Sequence, residues 1–256
     1  MEMTAYTPGT PSWVDIGTAD VDAARAFYSA VFGWDIPEGN PEFGGYTMAS
    51  LNGKQICGFG PQQNPGPPYW TSYVTVEDVD ASAATVVEAG GQVLAPPMEV
   101  GTAGKMAVLM DPQGAAFAIW QAGETIGCEL VNEPGALCWN ELNARDVDAA
   151  LAFYPKVFGW GSQTSTEGPF PYTEWKLGED SIGGLMAMPP MVPEQVPSFW
   201  LVYFAVADCD ATLAKITELG GSSMMPPMDI PIGRFAVVTD PEGATFAIIA
   251  LSGERM

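Results

Sequence analysis

The sequence contains no histidine, and this absence narrows the chemistry that the chain can perform. Without an imidazole, neither a Ser-His-Asp nor a Cys-His nucleophile arrangement can be built. The GxGxxG and Walker motifs are also missing, so no nucleotide cofactor is indicated. We therefore predict that the protein uses no cofactor.

Basic residues are scarce, with 9 Lys and Arg against 31 Asp and Glu and a formal net charge of −22. Such a field repels polyphosphates and attracts cationic small molecules, so we expect no nucleic-acid partner. The competing interpretation is a solvated acidic surface that only keeps the protein in solution.

Long apolar runs and paired cysteines are missing as well. No segment approaches the ~18–20 apolar residues that cross a bilayer, and the start, MEMTAYTPGTPSW, lacks the pattern of an export signal. The four cysteines lie far apart without a CxxC pair, which is typical of reduced and mostly buried thiols. We expect a soluble, cytoplasmic protein with no membrane partner.

What the sequence does contain is a long internal repeat. The stretch DVDAARAFYSAVFGW (20–34) returns at 146–160 as DVDAALAFYPKVFGW, with twelve of fifteen letters identical. Three more pairs follow in register: GGYTMASLNGKQICGFG with FPYTEWKLGEDSIGGLM, PYWTSYVTVEDVDASAATVVEAGG with SFWLVYFAVADCDATLAKITELGG, and GKMAVLMDPQGAAFAIW with GRFAVVTDPEGATFAII. The chain is therefore a tandem duplication, with predicted domains at 1–125 and 137–256 and a linker at 126–136.

Each copy is predicted to alternate strands with helices. In the first copy the pattern indicates a strand at 12–17, a helix from the Asp20 cap to Gly33, a hairpin at 44–60, a strand at 70–76, a helix at 79–89 and a strand pair turning at 111–114. Pro155 lies inside the matching helix of the second copy, where we expect it to kink the helix or end it early.

This arrangement resembles the vicinal oxygen chelate superfamily, which groups glyoxalase I, bleomycin-resistance proteins and extradiol dioxygenases. The helix D-x-x-A-x-x-FY-x-x-x-FGW and the DP-x-G hairpin carry the resemblance, which covers nearly all of both copies. It implies an α+β fold of tandem glyoxalase-like domains, in which four βαβββ modules form two curled-sheet cups. The chain looks most like the tandem actinobacterial proteins labelled as hydroxylases of aromatic polyketide pathways. We expect a monomer with an internal pseudo-twofold axis, or a weak homodimer.

The resemblance also implies four metal-ligand positions in a cup, and this sequence has lost the donors at them. Iron, zinc and nickel prefer imidazole and carboxylate ligands, whereas the sequence offers indole, hydrogen, aliphatic groups and one hydroxyl. The positions fall on Trp13, about Gly58, Thr71 and Ala118 in the first copy, and on Trp139, about Gly184, Leu201 and Ala247 in the second. We predict that neither cup holds a metal.

Two carboxylates are the best candidates for functional groups. Side chains alternate between the faces of a strand, so Asp15 shares a face with Trp13, and Glu141 shares one with Trp139. We predict that the indoles, with Thr71, contact a flat ligand while the acids bind a cation or move a proton. The competing interpretation is that these acids bond to a backbone group or face water at the rim.

Lys105 and Arg234 open the strand before the DP-x-G turn in each copy. The hairpin register is expected to place Lys105 opposite Trp120 on the cup side, which makes Trp120 and both cations candidate ligand contacts. The alternative is that each cation pairs with a surface acid, because a slip of one residue reverses the face.

The sequence is compatible with three functions. The first is metal-independent binding of a planar, hydrophobic and in some cases cationic small molecule, for self-resistance or secondary metabolism. The second is a metal-free tailoring enzyme, an isomerase, cyclase or cofactor-free oxygenase, in which Asp15 or Glu141 transfers a proton. The third is a residual glyoxalase-like lyase or a purely structural, antigen-like role.

Overall fold

The computed structural model describes residues 1–63, 66–167 and 170–252. These residues contain four α-helices, α1 Val21–Phe32, α2 Val79–Glu88, α3 Val147–Phe158 and α4 Cys209–Glu218, and a short 3-10 helix at Pro41–Phe43. The strands of the first copy are β1 Pro11–Thr18, β2 Thr47–Leu51, β3 Lys54–Pro61, β4 Tyr69–Thr75, β5 Gln92–Val100, β6 Gly104–Met110 and β7 Ala116–Ala122. Those of the second are β8 Leu137–Ala144, β9 Gly161–Ser165, β10 Tyr172–Leu177, β11 Asp180–Ala187, β12 Phe199–Ala205, β13 Ser222–Ser223, β14 Met228–Ile230, β15 Gly233–Thr239 and β16 Thr245–Leu251.

Each copy of the repeat forms one curled sheet, so each cup is made within a single copy. The seven-stranded sheet has the order β2-β3-β1-β4-β7-β6-β5, and the nine-stranded sheet the order β13-β15-β16-β12-β8-β11-β10-β9, with β14 beside β15. In both sheets the first strands of the two modules lie side by side and antiparallel, β1 with β4 and β8 with β12. This pairing joins two modules into each sheet and confirms the predicted architecture. The first module departs from the pattern, because the strand that should follow its helix is reduced to a bridge between Asp35 and Ser50.

All four helices begin in the same way. Asp20, Asp78, Asp146 and Asp208 stand in extended conformation, and each carboxylate accepts a bond from the backbone N–H three residues later, at 2.9–3.0 Å. A cap of this kind stabilises a helix by about 1 kcal/mol. The recurring D-x-x-A therefore specifies the start of each helix, which leaves the sheet at the same point in every module.

The expectation that Pro155 ends its helix early is wrong. The second-copy helix α3 runs through Pro155 to Phe158, and Gly159 ends it in the left-handed conformation. Tyr154 and Phe158, on either side of the proline, both stack on Trp160, with ring centroids 5.6 and 4.9 Å apart. We infer that this aromatic packing outweighs the single backbone hydrogen bond that proline removes.

The turns follow the local sequence. Asn52 and Gly53 both have positive φ, as the hairpin between β2 and β3 requires. At the DP-x-G turn Asp111 accepts bonds from the backbone N–H groups of Gln113 and Ala115, at 2.8 and 2.9 Å. The proline-containing segment LAPPMEV (94–100) belongs to the edge strand β5, where proline is tolerated and two irregularities interrupt the register.

The two sheets pack against each other through their helix-covered faces. Tyr28 of α1 donates a hydrogen bond to Asp240 in the DP-x-G turn of the other copy, and Tyr154 of α3 donates one to Asp111, both at 3.1 Å. Aromatic residues of both copies surround each bond, as in the pairs Tyr28–Phe246 and Phe117–Tyr154. The buried core thus lies between the sheets and leaves their opposite faces to form the cups.

None of the helices in the described ranges combines the length and the apolar character that a membrane span requires.

Candidate functional site

The floor of the first cup is a hydrogen-bonded cluster around Asp15. Asp15 pairs with Thr71 across β1 and β4, and its Oδ2 accepts bonds from the hydroxyls of Tyr73 at 2.6 Å and Tyr46 at 3.3 Å. The indole Nε1 of Trp13 donates to the Tyr46 hydroxyl oxygen at 3.1 Å. We call these five residues the cup-one floor. They come from three separate segments of the first copy.

The second cup repeats this cluster. Trp139 donates to the Tyr172 hydroxyl at 2.9 Å, and the Tyr203 hydroxyl donates to Oε1 of Glu141 at 3.0 Å. Asn143 adds an amide at 3.4 Å from the same oxygen. We call these five residues the cup-two floor. The repeat has therefore conserved a Trp–Tyr–carboxylate–Tyr constellation between its two copies.

The carboxylates are weaker acids than in water. Burial raises the pKa of Asp15 from 3.8 to about 6, and hydrogen bonds from Tyr73, Tyr46 and Thr71 oppose that rise. Burial also raises the pKa of Glu141, against bonds from Tyr172, Tyr203 and Asn143. Asp15 keeps partial contact with solvent, whereas Glu141 is only 5% exposed. A carboxyl that titrates near neutral pH and still reaches solvent can exchange a proton with a ligand.

The superfamily's metal does not fit these floors. A Cβ built on Gly58 would lie 1.8 Å from the Tyr46 hydroxyl, and one on Gly184 would lie 2.0 Å from the Tyr172 hydroxyl. At each of these implied metal-ligand positions, a tyrosine hydroxyl thus occupies the space of a ligand side chain. Among the residues that the structure describes, no group of three or more His, Cys, Asp or Glu could hold a metal ion.

The walls of the cups are apolar. Trp120 on β7 lies opposite Met106 on β6, on the face away from the helices, and its indole bonds to the Thr125 carbonyl at 2.8 Å. In the second cup a cluster separate from the two main cores contains Leu201, Tyr203, Ala247 and Ile249, with Phe235 and Trp139 packed against it. Flat apolar surfaces therefore border both floors.

The expected cup-side placement of the two cations is wrong, and the alternative, in which each cation pairs with a surface acid, is confirmed. Lys105 pairs with Gln121, and Met106 pairs with Trp120, so the register differs by one residue from the prediction. Lys105 instead bonds to Asp80 on α2, and Arg234 forms ion pairs with Asp210 at 2.9 Å and Asp229 at 3.0 Å. Because a one-residue shift reverses the face of a strand, both cations lie on the helix side of their sheets.

Sequence reasoning missed the four tyrosines that organise the floors. The repeat did contain the information, because Tyr46 matches Tyr172 and Tyr73 matches Tyr203 in the aligned segments. A tyrosine that occurs at the same place in both copies is as good an indicator of a site residue as the matched tryptophans are. Trp70 and Trp200, which also match between the copies, face the helices instead, and each donates a hydrogen bond to a buried helical tyrosine at 3.1 Å.

The fold agrees with comparisons to known families. Residues 127–248 match the family described as Glyoxalase/Bleomycin resistance protein/Dioxygenase superfamily, and residues 13–120 match the family Glyoxalase-like domain. The chain belongs to the glyoxalase/bleomycin resistance protein/dioxygenase superfamily, of which it contains two domains.

Particular relatives extend over almost the whole chain. It is 46% identical over 254 residues to the putative glyoxylase CFP32 of Mycobacterium tuberculosis, covering 95% of each chain. It is 38% identical over 265 residues to the anthracycline biosynthesis protein DnrV of Streptomyces peucetius, covering 97% of this chain and 96% of that one. The chain is thus similar to proteins of the actinobacterial, polyketide-associated type.

Solved structures support the fold. The Mn(II)-bound glyoxalase from Novosphingobium aromaticivorans superposes with a TM-score of 0.67 at 15% identity, covering 95% of this chain and 82% of that one. The 2,3-dioxygenase LapB from Pseudomonas sp. KL28 gives 0.67 at 12% identity, covering 96% and 93%. At these identities the likeness concerns architecture alone.

Proposed function

We propose that the protein binds a planar, largely apolar small molecule in its cups without a metal ion, in self-resistance or secondary metabolism. The observation that carries this proposal is the tyrosine hydroxyl in the place of a metal-ligand side chain in both cups. Aromatic side chains next to the floors supply flat contact surfaces for such a ligand. Similarity to an anthracycline biosynthesis protein supports the same ligand class, because an anthracycline has a flat aromatic body.

Calorimetric titration with an anthracycline aglycone tests the binding. We expect saturable binding, and at least about fivefold weaker affinity for Trp13→Ala, since removal of a central aromatic contact costs about 1 kcal/mol or more. Trp13→Phe serves as a second variant in case the alanine variant does not fold. Val87→Ala, on the exposed side of α2, is the control and should bind as the parent does. Equal affinity for all four proteins would exclude cup one as the binding site.

Metal analysis tests the other half of the proposal. Protein purified without chelator and measured by mass spectrometry should contain much less than one equivalent of iron, zinc, manganese or nickel. Aglycone affinity should be unchanged after exhaustive treatment with EDTA. A stoichiometric metal whose removal abolishes binding would contradict the proposal and favour the residual lyase.

A metal-free tailoring enzyme is the second candidate, and the pKa of about 6 at Asp15 favours it. In an isomerisation or cyclisation, the ionised Asp15 would take a proton from one ligand atom and return it to another. Turnover that survives chelation and disappears in the double variant Asp15→Asn/Glu141→Gln would support this reading. Turnover that persists in the double variant would remove the proposed role of both carboxylates.

A further inference from the structure

When Asp15 is ionised, the indole and tyrosine hydroxyl hydrogens of the cup-one floor form hydrogen bonds within the floor itself. The Trp13 indole can only donate, and it donates to the Tyr46 oxygen. That leaves the Tyr46 proton for Asp15, and the Tyr73 proton is given to Asp15 as well. A side-chain hydrogen bond from Thr71 also acts to lower the pKa of the carboxylate. The indole hydrogen and both tyrosine hydroxyl hydrogens of the floor therefore have internal acceptors.

The atoms left to a ligand are acceptors. An ionised carboxylate has about four lone-pair sites, and Asp15 Oδ1 accepts neither tyrosine bond, because both end on Oδ2. The Tyr46 and Tyr73 oxygens also keep free lone pairs. A group that brings hydrogen atoms fits this surface, whereas a carboxylate, phosphate or enolate would meet only lone pairs and negative charge.

No protein cation neutralises the floor. In the described ranges Asp15 forms no ion pair, and Lys105 and Arg234 are bound to acids on the opposite faces of their sheets. The formal net charge of −22 adds a field of the same sign. The positive charge that would complement Asp15 must therefore come from the ligand.

The floor of the second cup differs from the cup-one floor at two positions beside the carboxylate. Asn143, in the place of Gly17, brings an amide that has hydrogens of its own, and Leu201 replaces the hydroxyl of Thr71. Glu141 is also more deeply buried than Asp15. Only in cup one, therefore, are hydrogen-bond acceptors the sole polar atoms that the floor offers to a ligand.

We propose that the cup-one floor binds the protonated amine of a planar aromatic ligand, against Oδ1 of Asp15 and beside the hydroxyl oxygens of Tyr46 and Tyr73. This assignment rests on the proposed function and names the chemical class of the ligand. The ammonium would donate to Oδ1 of Asp15 and to the tyrosine oxygens, while the flat body lies against the apolar wall near Trp120. Hydrogen bonds to an ionised partner are about twice as strong as neutral ones.

A matched pair of probes tests the proposal: an anthraquinone with a primary alkylamine side chain, and its N-acetylated, neutral counterpart. Calorimetry at about pH 8 should show at least about tenfold tighter binding of the amine to the parent protein. Asp15→Asn should reduce this preference to less than about twofold. Asp148→Asn, an exposed change of the same charge on α3, controls for the general acidic field and should leave the preference unchanged.

The outcomes separate the two proposals. Equal binding of both probes would overturn the amine assignment and leave the proposed function standing, whereas no binding of either would overturn both. A preference that survives Asp15→Asn but disappears in Glu141→Gln would move the site to cup two and overturn the assignment. If Asp15→Asn does not fold by circular dichroism, Asp15→Ser replaces it with the same expected result.

Discussion

The hydroxyl of Tyr46 lies where a side chain on residue 58 would have to be, and this one contact shapes the first cup. A Cβ on Gly58 would also approach the Asp15 Cβ to 3.0 Å. Glycine at 58 and tyrosine at 46 are therefore a matched pair, as are Gly184 and Tyr172 in the second copy. The sequence pattern showed the glycines, but only the structure shows what fills the space they leave.

The matched pair predicts a strong coupling between two substitutions. Gly58→Ala should lower the free energy of unfolding by about 1–3 kcal/mol, because the methyl group overpacks the floor. In a Tyr46→Ala background the same change should cost at least about 1 kcal/mol less, since the clashing hydroxyl is absent. Urea unfolding of the four proteins measures this.

Gly17→Ala, on the same strand face as Asp15, is the control for this cycle. Its Cβ would meet the nearest atom at 3.6 Å, an ordinary contact, so stability should change by less than about 1 kcal/mol. Additive losses for Gly58→Ala and Tyr46→Ala would contradict the matched pair.

The raised pKa of Asp15 predicts how stability depends on pH. Between the unfolded pKa of 3.8 and the folded pKa of about 6, the folded state holds more protons, so stability falls as the pH rises. The titratable groups facing Asp15, namely Tyr46, Tyr73 and Cys57, have pKa values raised by burial and stay neutral in this range. Asp15→Asn should therefore gain stability relative to the parent by about 2 kcal/mol between about pH 4.5 and about pH 8.

Thermal or urea unfolding at a series of pH values checks this difference. Contributions from Glu141, Asp111 and Asp240, whose pKa values burial also raises, are common to both proteins and cancel. A stability difference that does not vary with pH would mean that Asp15 titrates at its ordinary value in the folded protein.

At the scale of elements, a register difference of one residue between β6 and β7 decides whether Lys105 lies on the cup side or on the helix side of the sheet. Lys105 and Trp120 were predicted to be cross-strand partners, and the observed register moves each by one residue. Because the side-chain period of a strand is two, that shift alone sends Lys105 to the helix and leaves Trp120 in the cup. In helix α3, tertiary packing maintains the helix through Pro155, although local sequence preferences predict that proline ends a helix.

One tyrosine of α1 and one of α3 each form a hydrogen bond between the two copies, and its removal should lower stability. Tyr28→Phe leaves the Asp240 carboxylate and the Trp70 indole without their shared partner inside the core. We expect a loss of about 1–3 kcal/mol in the free energy of unfolding, and a similar loss for Tyr154→Phe, which breaks the matching bonds to Asp111 and Trp200. Denaturant unfolding measures both.

Tyr69→Phe is the control for these variants, because Tyr69 is 40% exposed. Its stability should remain within about 0.5 kcal/mol of the parent. If the two helical variants were as stable as this control, the inter-copy bonds would contribute nothing to the fold.

At the scale of the whole molecule, each copy covers apolar surface of the other. Aromatic side chains of the second copy, among them Phe204 and Phe246, cover α1 of the first, with ring centroids 5.4 and 6.1 Å from that of Phe32. The predicted linker is also built into this assembly, since Cys128 is fully buried and its backbone N–H bonds to Ser12 at 2.8 Å. Separation of the copies would expose a large apolar face.

This dependence predicts the behaviour of the first copy alone. Residues 1–125, produced as a separate chain, should self-associate through the exposed helix-covered face or lack a cooperative unfolding transition. Light scattering after size exclusion and circular dichroism melting measure the two properties. A monomeric fragment with a cooperative melt would show that each copy buries enough core by itself.

The sequence by itself determined the duplication, the four capped helices, the two hairpin turns and the absence of imidazole donors. These features depend on local chemistry and on comparison of the chain with itself. Only the tertiary structure decided that Tyr46 and Tyr73 meet Asp15, that Lys105 turns away from the cup, and that the helical tyrosines bond across the copies. The physical reason is that strand register and sheet packing bring together residues distant in the chain, and a shift of one residue reverses which face they share.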